Sequence, residues 1–69
     1  MAVLKINGED RKFDGAAPKT LKALLESLNV DEATVVAEVD GKIIPRGNFQ
    51  NTVLSDGQKI ELVRFVGGG

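Results

Sequence analysis

The chain has 69 residues, 42% of them hydrophobic, and its nine Lys and Arg against ten Asp and Glu leave a net charge of −1. That length makes one domain with little volume for a deep cavity, so a binding or carrier module is expected, not an enzyme, with no catalytic residue of its own. With no Cys and no His there is no disulfide framework, no thiolate nucleophile and none of the commonest metal ligands, and without a basic run no nucleic-acid footprint.

The elements follow in chain order. Ala2, Leu4 and Ile6 alternate with Val3 and Lys5, and period two over five residues predicts a half-buried strand. Asn7-Gly8 is a hairpin signal, because both residues tolerate positive φ. The return strand runs from Glu9 or Asp10 to Asp14, with Phe13 as its core anchor and charges suited to a sheet edge. Gly15–Lys19 is a connection. Thr20 is placed as a helix N-cap. Leu21, Leu24, Leu25 and Leu28 follow at i, i+3, i+4 and i+7, one apolar stripe that reads as core. Lys22 and Glu26 on the other face stand where a weak pair is expected, in the poorer order. Asn29 ends the helix in the left-handed conformation.

Asp31-Glu32 reads as a helix-exit or loop pair. Thr34–Val39 returns to strand, with Val35, Ala37 and Val39 on one face and Val36 and Glu38 on the other. Asp40-Gly41 predicts a second tight turn. Lys42–Ile44 is a short strand that Pro45 stops by lacking an N–H. Arg46 reads as a solvated loop residue, with a partner contact as the alternative. Phe49 and Val53, four apart, predict a helical turn plugging the core. Ser55-Asp56-Gly57 is a third turn, and Lys59–Phe65 the last strand, with Ile60 and Leu62 opposed to Glu61, Val63 and Phe65.

This order predicts an α+β domain over residues 1–65: a mixed sheet of four or five strands with one helix packed across one face. Only the helix carries a wide apolar stripe, so it covers the sheet. The other face then exposes Val36, Val63 and Phe65, which together with Val66 read as a docking surface for a partner.

Residues 66–69, Val66-Gly67-Gly68-Gly69, read as a flexible tail. Glycine backbone is thin and conformationally permissive. Four residues reach roughly 13–14 Å at about 3.3–3.6 Å each, enough to leave a small body and enter a narrow cleft on another protein. A free carboxylate on Gly69 is ionised at neutral pH. It becomes an electrophile once its oxygen is turned into a leaving group, as in an acyl-adenylate, and glycine gives an attacking nucleophile the least obstruction. No apolar run approaches the roughly 20 residues that span a bilayer. The first residues lack the charged start and long apolar core of a signal peptide. A cytoplasmic location away from membranes is expected.

Several blocks carry a resemblance: Ile6-Asn7-Gly8, Thr20-Leu21-x-x-Leu24-Leu25, Val39-Asp40-Gly41-x-Ile43-Ile44-Pro45-Arg46, Phe49, Leu54-Ser55-Asp56-Gly57-Gln58 and Val66-Gly67-Gly68-Gly69. Together they span essentially the whole chain. They resemble the ubiquitin-like β-grasp fold and, within it, the sulfur carrier family of thiamine biosynthesis. Two departures stand out: glycine is tripled where the family ends in a pair, and Phe49 stands where the family often has Trp.

The resemblance implies that Gly69 is the modified residue, first as an adenylate and then as a thiocarboxylate, with Gly67 and Gly68 as the tail entering the partners' sites. It implies three partners: an E1-like adenylyltransferase that uses ATP, a cysteine desulfurase as indirect sulfur source, and thiazole synthase as acceptor. The carrier itself binds no cofactor and is a monomer when free. The rivals are the small subunit of molybdopterin synthase, which shares fold, tail and activation chemistry; a ubiquitin-like protein modifier joined through Gly69 to a lysine; and a plain interaction module with an inert tail. Chain brevity and the Val-Asp-Gly…Pro-Arg block favour the thiamine carrier.

Overall fold

Asn7 and Gly8 take φ of 51° and 82°, the left-handed pair that a tight two-residue hairpin needs. They fold β1 (Ala2–Ile6) back on β2 (Glu9–Phe13), antiparallel from Ala2 opposite Phe13 to Ile6 opposite Glu9. Asp40 and Gly41 repeat the device at 51° and 85°, joining β3 (Val35–Val39) to β4 (Lys42–Ile44). β5 (Lys59–Arg64) runs between the two hairpins, parallel to β1 and antiparallel to β3. The sheet order is β2-β1-β5-β3-β4. The computed structural model describes residues 2–15 and 17–64.

The helix α1 (Leu21–Ser27) lies across one face. Its start is fixed by Thr20, whose hydroxyl accepts from the Ala23 N–H at 3.1 Å, satisfying a donor that the helix itself leaves unpaired. Its end is a Schellman motif. Asn29 takes φ of 59°, its N–H donates to the Glu26 carbonyl at 3.1 Å, and Val30 N–H donates to the Leu25 carbonyl at 2.9 Å. Leu21, Leu24 and Leu25 are fully buried against Leu4, Val35, Ala37, Val39 and Ile60 from the sheet, while Phe13 and Leu28 pack at the margin.

Phe49, on a 3-10 turn spanning Arg46–Asn51, closes the core from the β4 side. Here the sequence reading needs correction. Val53 does not share the plug: it is 70% exposed, and Leu54 is buried in its place. The turn stops at Asn51, and the chain runs extended alongside Lys19–Thr20. Leu21 N–H donates to the Thr52 carbonyl at 2.9 Å and Leu54 N–H to the Lys19 carbonyl at 2.8 Å. In extended chain, alternation decides which residue faces in, not a spacing of four.

Two further expectations are corrected. Lys22 and Glu26 form no ion pair; the pair present among the described residues is Lys5–Asp10 at 3.9 Å, on the open sheet face. Asp31-Glu32 is not plain loop. Asp31 caps a 3-10 turn over Glu32–Thr34, its carboxylate accepting from the Ala33 N–H at 2.9 Å. The last strand is described as far as Arg64.

Candidate functional site

The candidate residues lie around β5, the strand that precedes the C-terminal glycines in sequence. β5 is held from both sides. On one side it pairs with β3 from Ile60 opposite Val39 to Arg64 opposite Val35. On the other side β1 ends after pairing Ile6 with Ile60. The hairpin turn then takes over. Asn7 accepts the Leu62 N–H on Oδ1 at 2.7 Å and donates from Nδ2 to the Leu62 carbonyl at 3.2 Å. The side-chain amide thus does what one more residue of β1 would do, and fixes β5 two residues before Arg64.

Alternation divides β3 and β5 between two faces. Val35, Ala37, Val39 and Ile60 point into the core under α1. On the uncovered face Val36 stands opposite Val63, and Glu38 stands opposite Glu61 on one side and Ile43 of β4 on the other. Val36 is 39% exposed, Val63 58% and Ile43 68%. The structure therefore brings together Val36 and Val63, two of the residues expected to dock a partner, and adds Ile43. Its exposure was hidden in the sequence because Ile43-Ile44 is an unbroken apolar pair on a three-residue strand. Phe65, Val66, Gly67, Gly68 and Gly69 lie outside the described residues.

Glu38 and Glu61 face each other with no ion-pairing partner among the described residues. A shallow concavity of about 440 Å³ opens over them, its rim completed by Asp40, Gly41 and Lys59. Asp40 is already engaged, accepting from the Lys59 N–H at 3.0 Å and from the Gln58 side-chain amide at 3.2 Å. On the helix side, another concavity of about 510 Å³ lies beneath the first hairpin, floored by Ile6, Leu28, Val30 and Leu62 with Arg11 and Arg64 beside it.

The remaining polar residues of the recognisable blocks do structural work. Asp56 accepts the Val3 N–H at 2.6 Å and Gly57 N–H donates to the Val3 carbonyl at 2.7 Å, clamping the start of β1. Arg46 donates to the Ala33 carbonyl at 3.2 Å, tying two 3-10 turns together. Among the described residues no polar or charged side chain is buried and no group of three His, Cys, Asp or Glu could hold a metal ion. No described helix is long and apolar enough to cross a membrane. What this arrangement can do is present an apolar, acid-centred face beside a strand that leads to a glycine terminus.

Comparison with known proteins agrees over nearly the whole chain. A sulfur carrier protein ThiS of Bacillus subtilis is 34% identical over 97% of this chain and 100% of its own length. A thiazole synthase of Paramagnetospirillum magneticum is 42% identical over 96% of this chain, which spans only 20% of that protein. Among solved structures, a crystal structure of a ThiS thiamine biosynthesis protein from Geobacter metallireducens superposes with a TM-score of 0.82 at 35% identity, covering 97% of this chain and 99% of that one. The mixed five-stranded sheet with one helix is thus the ubiquitin-like arrangement expected from the sequence. The model of the ThiS family matches residues 4–69, and the chain belongs to that family.

Proposed function

We propose that this protein is a sulfur carrier for thiamine biosynthesis, a protein co-substrate whose chemistry is done by its partners. The observation that carries the reading is the family match running through to Gly69, on a fold whose central strand leads to that residue. The relatives named sulfur carrier protein and thiazole synthase support the pathway.

In this reading Gly69 ends in a free carboxylate. An E1-like adenylyltransferase brings ATP, the carboxylate oxygen attacks its α-phosphorus, and pyrophosphate leaves. A cysteine desulfurase supplies the sulfur as a persulfide, which a thiol reductant releases as sulfide while itself being oxidised to a disulfide, and that sulfide then attacks the acyl carbon. AMP departs with the electrons of the broken C–O bond, leaving a thiocarboxylate. Gly67 and Gly68 let the tail enter each partner's cleft, because no Cβ widens the backbone. Thiazole synthase accepts the sulfur. Val36 and Val63, with Phe65 and Val66, pack against the partner at the root of the tail. The reaction takes place in the cytoplasm, and the carrier itself holds no cofactor.

The test is the intact mass of the protein after incubation with ATP, an adenylyltransferase of this type and a sulfur donor. A gain equal to exchanging one oxygen for sulfur, absent when Gly69 is deleted, is expected. An unchanged mass beside a control carrier that the same enzyme converts would overturn the reading.

A further inference from the structure

The uncovered sheet face contains an arrangement that folding alone does not favour. Glu38 and Glu61 stand directly opposite each other in the β3–β5 ladder, and like charges so placed destabilise a sheet. They lie in the middle of the face. Val36 and Val63 stand on the side towards the end of β5, and Ile43 on the outer side of Glu38. Exposed apolar side chains on two sides of two unpaired carboxylates have the anatomy of a docking patch with a charged centre. The concavity over the pair gives a side chain room to enter.

We propose that, with thiazole synthase seated on this face, a guanidinium or ammonium group on an apolar part of that enzyme's surface inserts between Glu38 and Glu61. The proposal rests on the carrier reading above. Three observations support this occupant. The charge is complementary to a cation, and among the described residues neither Glu38 nor Glu61 has an ion-pairing partner within this chain. The patch is continuous with β5, so an enzyme seated here has the tail at hand. The relative in which this chain's counterpart forms part of a thiazole synthase has the two polypeptides joined, as suits a standing contact between them. Val36, Val63 and Ile43, once covered by the enzyme, shield the ion contacts from water on two sides and so strengthen them.

The proposal is tested by calorimetric binding of the full-length carrier to purified thiazole synthase across a salt series, with Glu38→Lys, Glu61→Gln and Arg11→Glu as variants. Glu38→Lys turns the like-charged pair into an opposite-charged one. It should therefore fold at least as stably as the native chain while binding thiazole synthase at least about tenfold more weakly, as loss of a buried interfacial charge contact does. Glu61→Gln should weaken binding less and flatten its salt dependence. Arg11→Glu, on the edge strand away from this face, should bind normally. Undiminished affinity of a folded Glu38→Lys variant overturns the proposal while leaving the carrier reading intact, because the mass gain on Gly69 is scored separately. Binding lost equally in Arg11→Glu overturns it too, by showing that the loss is not confined to this face. A self-associated native carrier that Val63→Asp renders monomeric overturns it in favour of a second copy as the occupant.

Discussion

The side chain of Asn7 and the backbone of Leu62 form a two-way hydrogen-bonded ring, 2.7 Å in one direction and 3.2 Å in the other, between residues 55 positions apart in sequence. A turn residue thereby becomes the last rung of the β1–β5 pairing. Asn7→Asp keeps the acceptor and a residue tolerant of positive φ, but places a carboxylate oxygen against the Leu62 carbonyl. Each such bond contributes about 0.5–1.5 kcal/mol, so a loss of about 1–2 kcal/mol in urea unfolding is expected. Faster hydrogen exchange at Leu62, greater than at Ile60, should accompany it. Asn7→Gly, which keeps the turn and loses both bonds, should exchange likewise.

Phe49 and Val53 should separate cleanly. Phe49 is 1% exposed and fills the core from outside the sheet, whereas Val53 is 70% exposed. Phe49→Ala should cost about 3–5 kcal/mol, close to the whole net stability of about 3–5 kcal/mol that a core of this size provides. Circular dichroism should therefore show a largely unfolded chain at 37 °C. Val53→Ala should stay within about 0.5 kcal/mol of the native chain.

Glu38 opposite Glu61 implies that the folded carrier is less stable than it need be. Glu61→Gln should raise stability by about 0.2–1 kcal/mol, and the gain should shrink as salt is added from about 10 mM to 1 M. Thermal unfolding at two ionic strengths checks this. A gain that does not change with salt would point to packing and not charge.

Val63 and Ile60 lie three residues apart on β5 and face opposite ways. Ile60 is fully buried and Val63 58% exposed. Ile60→Ala should cost about 2–5 kcal/mol in denaturant unfolding, whereas Val63→Ala should leave stability within about 0.5 kcal/mol and reduce affinity for thiazole synthase. Equal effects of the two on unfolding would contradict the assignment of the faces.

These assignments show which features the sequence reveals. Strict alternation around Leu4 and from Val35 to Val39, the leucine stripe at 3.6-residue spacing, and the Asn7-Gly8 and Asp40-Gly41 turns are local signals, and the structure follows them. Val36 and Val63 were legible as exposed for the same reason. Thr52–Leu54 was not, because its extended path is set by hydrogen bonds to Lys19 and Leu21, more than thirty residues away in sequence. The role of Asn7 was hidden likewise: its turn signal is local, but its partner Leu62 is not. The like-charged contact of Glu38 with Glu61 depends on β3–β5 register, which alternation within either strand alone does not specify.

The most direct test of the central claim follows the sulfur itself. The carrier is loaded at Gly69 with isotopically labelled sulfur, purified, and mixed with thiazole synthase and its small-molecule substrates. The label should leave the carrier and appear in the thiazole, with one labelled product per loaded chain. Label that stays on the carrier with active thiazole synthase, but passes to molybdopterin when the large molybdopterin synthase subunit and its pterin substrate are supplied, would contradict it.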